Sequence, residues 1–223
     1  MRESRASFDR LLADIRACRE CAAYLPHGPR PVLQAHSDAK LLIVSQAPGR
    51  RVHASGVPFD DKSGEKLRAW LGIDEPTFHD ERKVAIVPMA FCYPGKGASG
   101  DLPPRRECAP RWHPLLLPRL RRIELTLAIG GYAIDALLGK RKRATLTDTV
   151  RAWRDYLDIE KVGQGCPNFD PRDQGRSQGH PILPLPHPSP RNTAWFIHNP
   201  WFEREAIPAL RERVRQLLLQ GGS

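Results

Sequence analysis

No stretch of this chain approaches the roughly 18 consecutive apolar residues that a membrane-spanning helix requires, so no membrane partner is expected. The N-terminus also lacks a long apolar segment and carries Glu3 and Asp9, which is not the build of a signal peptide. A cytoplasmic protein is therefore expected. Cysteine is sparse, five in 223 residues, and in a reducing compartment that usage argues against a disulfide scaffold. No shift in composition divides the chain, whose length is enough for one sizeable core. One domain over residues 1–223 is expected. Acidic residues are in deficit, 25 against 35 Lys and Arg, which leaves a formal charge of +10 and a pI near 9.8. Such a balance favours an anionic partner, and nucleic acid is the commonest one for a basic protein.

Four of the five cysteines stand in two distant pairs, Cys18 with Cys21 and Cys92 with Cys108. A Cys-x-x-Cys pair at the end of an N-terminal helix can clamp one side of an iron–sulfur cluster, and a second pair can close the other side. Structural zinc uses the same number of ligands, and buried reduced cysteines are common in cores, so cysteine spacing alone leaves three readings open. Cys166 is the odd one out and reads as a free thiol.

Apolar positions Phe8, Leu11, Leu12, Ile15 and Ala22 predict a helix over about Ser7 to Ala23, with Cys18 and Cys21 near its end. Four short apolar runs follow: Lys40 to Ser45, Lys83 to Ala90, Leu125 to Gly130 and Pro181 to Leu185. Each reads as a buried strand. Helical stretches lie between and after them, at about Lys62 to Leu71, Arg106 to Arg121, Tyr132 to Leu138 and Trp201 to Leu219. Alternating strands and helices imply an α/β fold with a parallel sheet covered on both faces. Ligands of such sheets bind at the carboxyl ends of the strands. Gln46-Ala47-Pro48-Gly49, the loop after Cys92, Gly130-Gly131 and His187-Pro-Ser-Pro-Arg-Asn192 all fall at that end. The stretch from about Gly163 to Gly179 has loop composition.

His187 precedes two prolines that fix the backbone, which holds its imidazole and the Ser189 hydroxyl in set directions. Arg191 suits a phosphate contact, and Asn192 suits either a helix cap or a base edge. Arg50, Arg51 and His53 place two cations and an imidazole in what reads as one loop. Phe59 offers a ring for stacking on a flat ligand, although most such residues are core.

Taken together, these residues resemble the uracil-DNA glycosylase superfamily. Its iron–sulfur branch carries Gly-Glu-Ala-Pro-Gly after the first strand, Pro-Phe eight residues on, and His-Pro late in the chain. Here Ser45-Gln-Ala-Pro-Gly49 is followed at that spacing by Pro58-Phe59, and His187-Pro188 comes late. The four cysteines also fit that branch, while Gly56-Val-Pro-Phe59 and His187 to Asn192 look closer to the single-strand-selective branch. The resemblance spans about Leu11 to Arg213. It implies a three-layer α/β sandwich with a four-stranded parallel sheet, acting as a monomer on DNA that contains a damaged base. It also implies a [4Fe–4S] cluster, with zinc as the alternative, on Cys18, Cys21, Cys92 and Cys108, pinning the N-terminal helix and the 92–108 loop.

By the same resemblance, Phe59 stacks on a flipped base, Gln46 to Gly49 line its pocket, and His187 stabilises charge on the base as the glycosidic bond breaks. Ser189 and Arg191 grip the DNA backbone, while Asn192, Arg50 and Arg51 are expected from residue chemistry alone to contact DNA. The chain departs from the family in its polar groups. Gln46 stands where the iron–sulfur branch has a carboxylate, Ala47 where other branches have Asp or Asn, and Pro88 where the family has a base-reading Asn. Gln46 is still able to orient a water as a catalytic residue, and His53, Asp60 or Asp61 is expected to supply the missing polar role. The expected activity is hydrolysis of the N-glycosidic bond of uracil or another deaminated base. The alternative is a lesion-binding protein without catalysis, and a zinc-stabilised hydrolase of nucleotides is a third reading.

Overall fold

Each of the four apolar runs becomes a strand buried on both faces, the environment that a parallel sheet between helices provides. The computed structural model describes residues 2–158 and 180–219. The loop expected near Gly163 to Gly179 and the thiol of Cys166 lie outside the described residues. In chain order the elements are α1 (Arg2–Arg16), β1 (Leu41–Val44), α2 (Arg50–Ser55), α3 (Lys62–Leu71), α4 (Glu75–His79) and β2 (Val84–Ile86). A small ribbon of β3 (Lys96–Gly97) and β4 (Gly100–Asp101) follows, then α5 (Cys108–Leu116), β5 (Leu125–Ile129) and α6 (Gly131–Leu138). The chain continues through α7 (Leu146–Arg151), α8 (Trp153–Leu157), β6 (Ile182–Leu185), α9 (Thr193–His198) and α10 (Ile207–Leu219).

The main sheet has the order β2-β1-β5-β6 and every pairing is parallel. Helices flank it, as the alternation in sequence predicts. The chain steps outward from β1 to β2, then returns to the other side of β1 for β5. That reversal between β1 and β5 leaves a crevice at their carboxyl ends, the place where an open α/β sheet binds its ligand. The β2 edge is covered: the backbone of Gln34 bridges Ile86, and its buried amide donates to the carbonyls of Phe78 and Val84. This protects an edge that would otherwise present unpaired backbone.

The helices pack by apolar faces at helical spacing. α1 buries Phe8, Leu11, Leu12 and Ile15, and α10 buries Leu210, Val214 and Leu217. Among the described residues no helix is long and apolar enough to cross a membrane.

Several expected bounds shift. The first helix ends at Arg16, so Cys18 and Cys21 sit in the turn after it rather than in its last turn. The helix expected over Arg106 to Arg121 runs only from Cys108 to Leu116, and a tight turn follows at Leu117–Arg119. Trp201 to Leu219 is interrupted by a wide π turn at Phe202–Ala206. Pro208 accounts for that turn, because a proline cannot donate to the carbonyl one turn back and its ring crowds it.

Arg50 to His53 is not a loop but most of α2. Only Val52 of this helix is buried, so it has no apolar face to announce it. Its end is fixed from afar: the Arg30 guanidinium donates to the carbonyls of His53, Ala54 and Ser55 at 2.7, 2.5 and 3.2 Å. Gly56 ends the helix at φ 78°, and a Cβ there would meet Arg30 at 2.6 Å.

Candidate active site and cysteine pocket

A cleft of about 910 Å³ opens where the strand order reverses. Its walls are Ser45 to Gly49 after β1, Pro88 after β2, Gly130 to Tyr132 after β5, and His187 with Ser189 to Asn192 after β6. Arg51, Phe59, Asp61 and Lys62 close one side, and the β3–β4 ribbon brings Gly100, Asp101 and Leu102 to the rim. Gln46, Ala47, Pro48, Gly49, Arg51, Phe59, His187, Ser189, Arg191 and Asn192 therefore meet as expected from sequence. His53, Asp60 and Arg50 are not on the cleft wall. The His53 ring lies 6.0 Å from the rings of both His27 and Tyr93, and Asp60 pairs with Arg51 at 3.3 Å.

The His187 ring is fixed by its own loop. Its Nδ1 accepts the Ser189 N–H at 3.2 Å, and its carbonyl accepts the Asn192 amide at 2.8 Å. An Nδ1 that accepts leaves the ring hydrogen on Nε2. Burial pushes the pKa of this imidazole down. The Asp61 and Asp101 carboxylates oppose that and Arg191 reinforces it. The outcome is a neutral ring with one N–H to donate. It packs on Gly130, which adopts φ 80° and where a Cβ would stand 3.6 Å from His187. Asn192 thus spends its side chain on the loop, and Ser189 Oγ accepts the Arg191 N–H at 3.3 Å.

Phe59 has φ 55°, the one non-glycine residue in the left-handed region among the described residues. Strain of this kind persists where the surroundings over-determine it. Here the residue is 8 % exposed, and its ring stands edge-on to Phe78 at 6.0 Å. Its carbonyl lies against Gly64, where a Cβ would come within 1.8 Å.

Two carboxylates face the bare backbone of Gly49. Asp61 caps α3 with one oxygen, which accepts the Gly64 N–H at 2.9 Å. Its other oxygen lies 3.8 Å from the point a Cβ of Gly49 would occupy. Asp101 mirrors it: one oxygen accepts the Tyr93 hydroxyl at 3.3 Å, and the other is also 3.8 Å from that point. Asp101 was not foreseen from sequence. The signal available for it is Gly97-Ala-Ser-Gly-Asp101, the turn chemistry of a short hairpin. Of the basic run after Gly139, Lys142 and Arg143 are spent on Asp135 at 2.5 Å and Asp155 at 3.2 Å.

All four paired cysteines line a second, smaller pocket together with Arg105, Arg111 and Trp112. None is in a disulfide. Burial, then repulsion among the thiolates, pushes Cys92 up to about 11 and Cys108 up to about 12. A backbone N–H supports Cys108: Phe91 donates to its Sγ at 3.4 Å. Burial also raises the pKa of Cys21, and the nearby Arg105 opposes that. Among the described residues no group of three or more His, Cys, Asp or Glu side chains is arranged to hold a single metal ion. The four cysteines are gathered around one small pocket.

Burial holds down the pKa of five histidines, His53, His79, His113, His180 and His187. In the unfolded chain each takes up a proton near pH 6.5. Between that pH and the lower folded values the unfolded state binds more protons, so stability rises with pH and is lost on acidification. Calorimetry is expected to give a melting temperature that falls steadily from pH 7 to pH 5. A level melting temperature across that range contradicts the assignment.

The fold is of the α/β class, with a strand-end cleft that has Arg51 and Arg191, the Phe59 ring and a neutral His187 imidazole among its lining residues. Residues 33–211 match the family model of the Uracil DNA glycosylase superfamily. The match covers most of the chain, and the protein belongs to that superfamily. Members of the superfamily are in general DNA glycosylases, and membership points to a function of that type.

Proposed function

We propose that the protein is a DNA glycosylase that removes a deaminated base by hydrolysing its N-glycosidic bond, with a [4Fe–4S] cluster held by Cys18, Cys21, Cys92 and Cys108. The observation that carries the proposal is the meeting of the neutral His187 with Asp61, Asp101 and Phe59 in one cleft at the strand-order reversal. A base inside a duplex is unreachable, so it must be flipped out to enter such a cleft.

Once there, the base stacks on Phe59. As the bond from C1′ to the base nitrogen breaks, its electron pair leaves with the base, and negative charge grows on a base oxygen. The His187 Nε2–H donates to that oxygen; a donor already in place needs no reorganisation when charge develops. The sugar becomes an oxocarbenium-like cation flanked by phosphates. Water adds to C1′ and gives its proton to a carboxylate, Asp61 or Asp101, whose free oxygens face the open space over Gly49. These two carboxylates take the role that Gln46 and Ala47 cannot fill. Arg51 and Arg191 hold DNA phosphates. Pro88 has no side-chain amide with which to read uracil, which favours a damaged base other than uracil alone.

Four cysteine side chains around one pocket supply the four sulfur ligands that a [4Fe–4S] cluster takes, and zinc is the alternative occupant. A cluster held there would cross-link the segment after α1, the residues around Cys92 and the start of α5.

Oligonucleotides carrying uracil, hypoxanthine or xanthine test the proposal. Iron-containing protein is expected to leave alkali-labile abasic sites in at least one of them. Salt-sensitive DNA binding without any abasic site would instead support a lesion-binding protein that has lost the chemistry. Metal analysis showing zinc and no iron would overturn the cluster.

A further inference from the structure

The four residues from Pro88 to Phe91 form a strap between the two pockets. Pro88 lines the cleft, while Ala90 and Phe91 line the cysteine pocket. Along one side the strap holds the loop after β1: the Met89 N–H donates to the Ser45 carbonyl at 2.8 Å and the Ala90 N–H to the Gln46 carbonyl at 3.1 Å. Along its other side α5 grips it twice. Cys108 Sγ accepts the Phe91 N–H at 3.4 Å, and His113 Nε2 meets the Pro88 carbonyl at 3.0 Å. A carbonyl only accepts, so His113 carries its hydrogen on Nε2. The imidazole is 4 % exposed and Pro88 is buried, so water does not stand in for either partner.

We propose that His113 is a positioning residue, which fixes the Pro88–Phe91 strap from behind and so transmits the rigidity of the cysteine site to the Gln46 loop of the cleft. Cys108 and His113 lie on one short helix, so anything that holds Cys108 in place also sets the height of His113 against the strap. Its effect on base release rests on the glycosylase reading; its effect on the strap does not.

The test compares iron-containing wild type with His113→Phe, which fills the space without a donor, and His113→Gln, which keeps one. In His113→Phe the Met89 and Ala90 amides are expected to exchange with solvent about tenfold faster or more, as loss of one buried hydrogen bond allows. Base release is expected to slow by a similar factor, with the iron-to-protein ratio unchanged. His113→Gln is expected to restore most of both. Unchanged exchange in His113→Phe, equal loosening in both variants, loss of iron, or undiminished base release would each overturn the proposal. If wild type releases no base, the glycosylase reading fails and the exchange data decide by themselves. His113→Asn, too short to reach the carbonyl, replaces His113→Phe if the latter does not fold.

Discussion

Replacing His187 with alanine is expected to slow base release by about 10²–10³-fold, the usual effect of deleting one donor to a developing oxyanion. Affinity for lesion-containing DNA is expected to change little, since the phosphate contacts assigned to Arg51 and Arg191 remain. The size of the effect follows from the state of the ring. Its Nδ1 is occupied by the Ser189 N–H and burial keeps it neutral, so its single hydrogen sits on Nε2 before the reaction begins. Single-turnover kinetics beside a binding titration separates the two quantities. Equal losses in rate and in affinity would make His187 a binding residue, and no loss in either would remove it from the mechanism.

The second large effect is expected at a residue without a side chain. Helix propensity alone predicts that Gly64→Ala, inside α3, stabilises the protein by up to about 1 kcal/mol. The Phe59 carbonyl opposes this, because the new methyl group would lie 1.8 Å from its oxygen and 2.7 Å from its carbon. Backbone cannot move aside as a flexible side chain can, and overpacking costs about 1–3 kcal/mol or more. The clash is expected to win by about 2 kcal/mol or more, lowering the melting temperature by several degrees. The same methyl group displaces the turn that holds Phe59 at positive φ and Asp61 at the cap, so any folded protein should also lose lesion binding. A melting temperature at or above that of wild type would mean that the Phe59 turn yields easily and is not a fixed wall of the cleft.

The strands were legible because each is a short aliphatic run ending in a turn signal, and a parallel sheet buries such runs on both faces. Their carboxyl ends then located the cleft without further information. The cysteine spacing left cluster, zinc and buried thiols open, and the fold brings all four cysteines to one pocket.

What escaped the sequence depends on distant partners. Helix α2 has one buried residue, and its carbonyls are capped by Arg30, at least 23 positions earlier. Nothing local distinguishes it from a loop. Its formation turns His53 toward His27 and Tyr93 and away from the cleft. Asp101 reaches the site on strands of only two residues, whose pairing leaves no periodic pattern to read. Asp61 stands close to the first motif and is legible from sequence, whereas Asp101 lies in the segment between Cys92 and Cys108, far from that motif in the chain.

The central claim is that the cleft at the strand-order reversal receives the flipped base. The most direct test is hydrogen exchange of the protein bound to an oligonucleotide whose lesion nucleotide carries a 2′-fluoro group, which destabilises the oxocarbenium-like sugar and keeps the complex intact. The account predicts added protection at residues 45–49, 58–61, 130–132 and 187–192 together, with little change along α10. Protection confined to the basic surface, with those four segments exchanging as in the free protein, would contradict it.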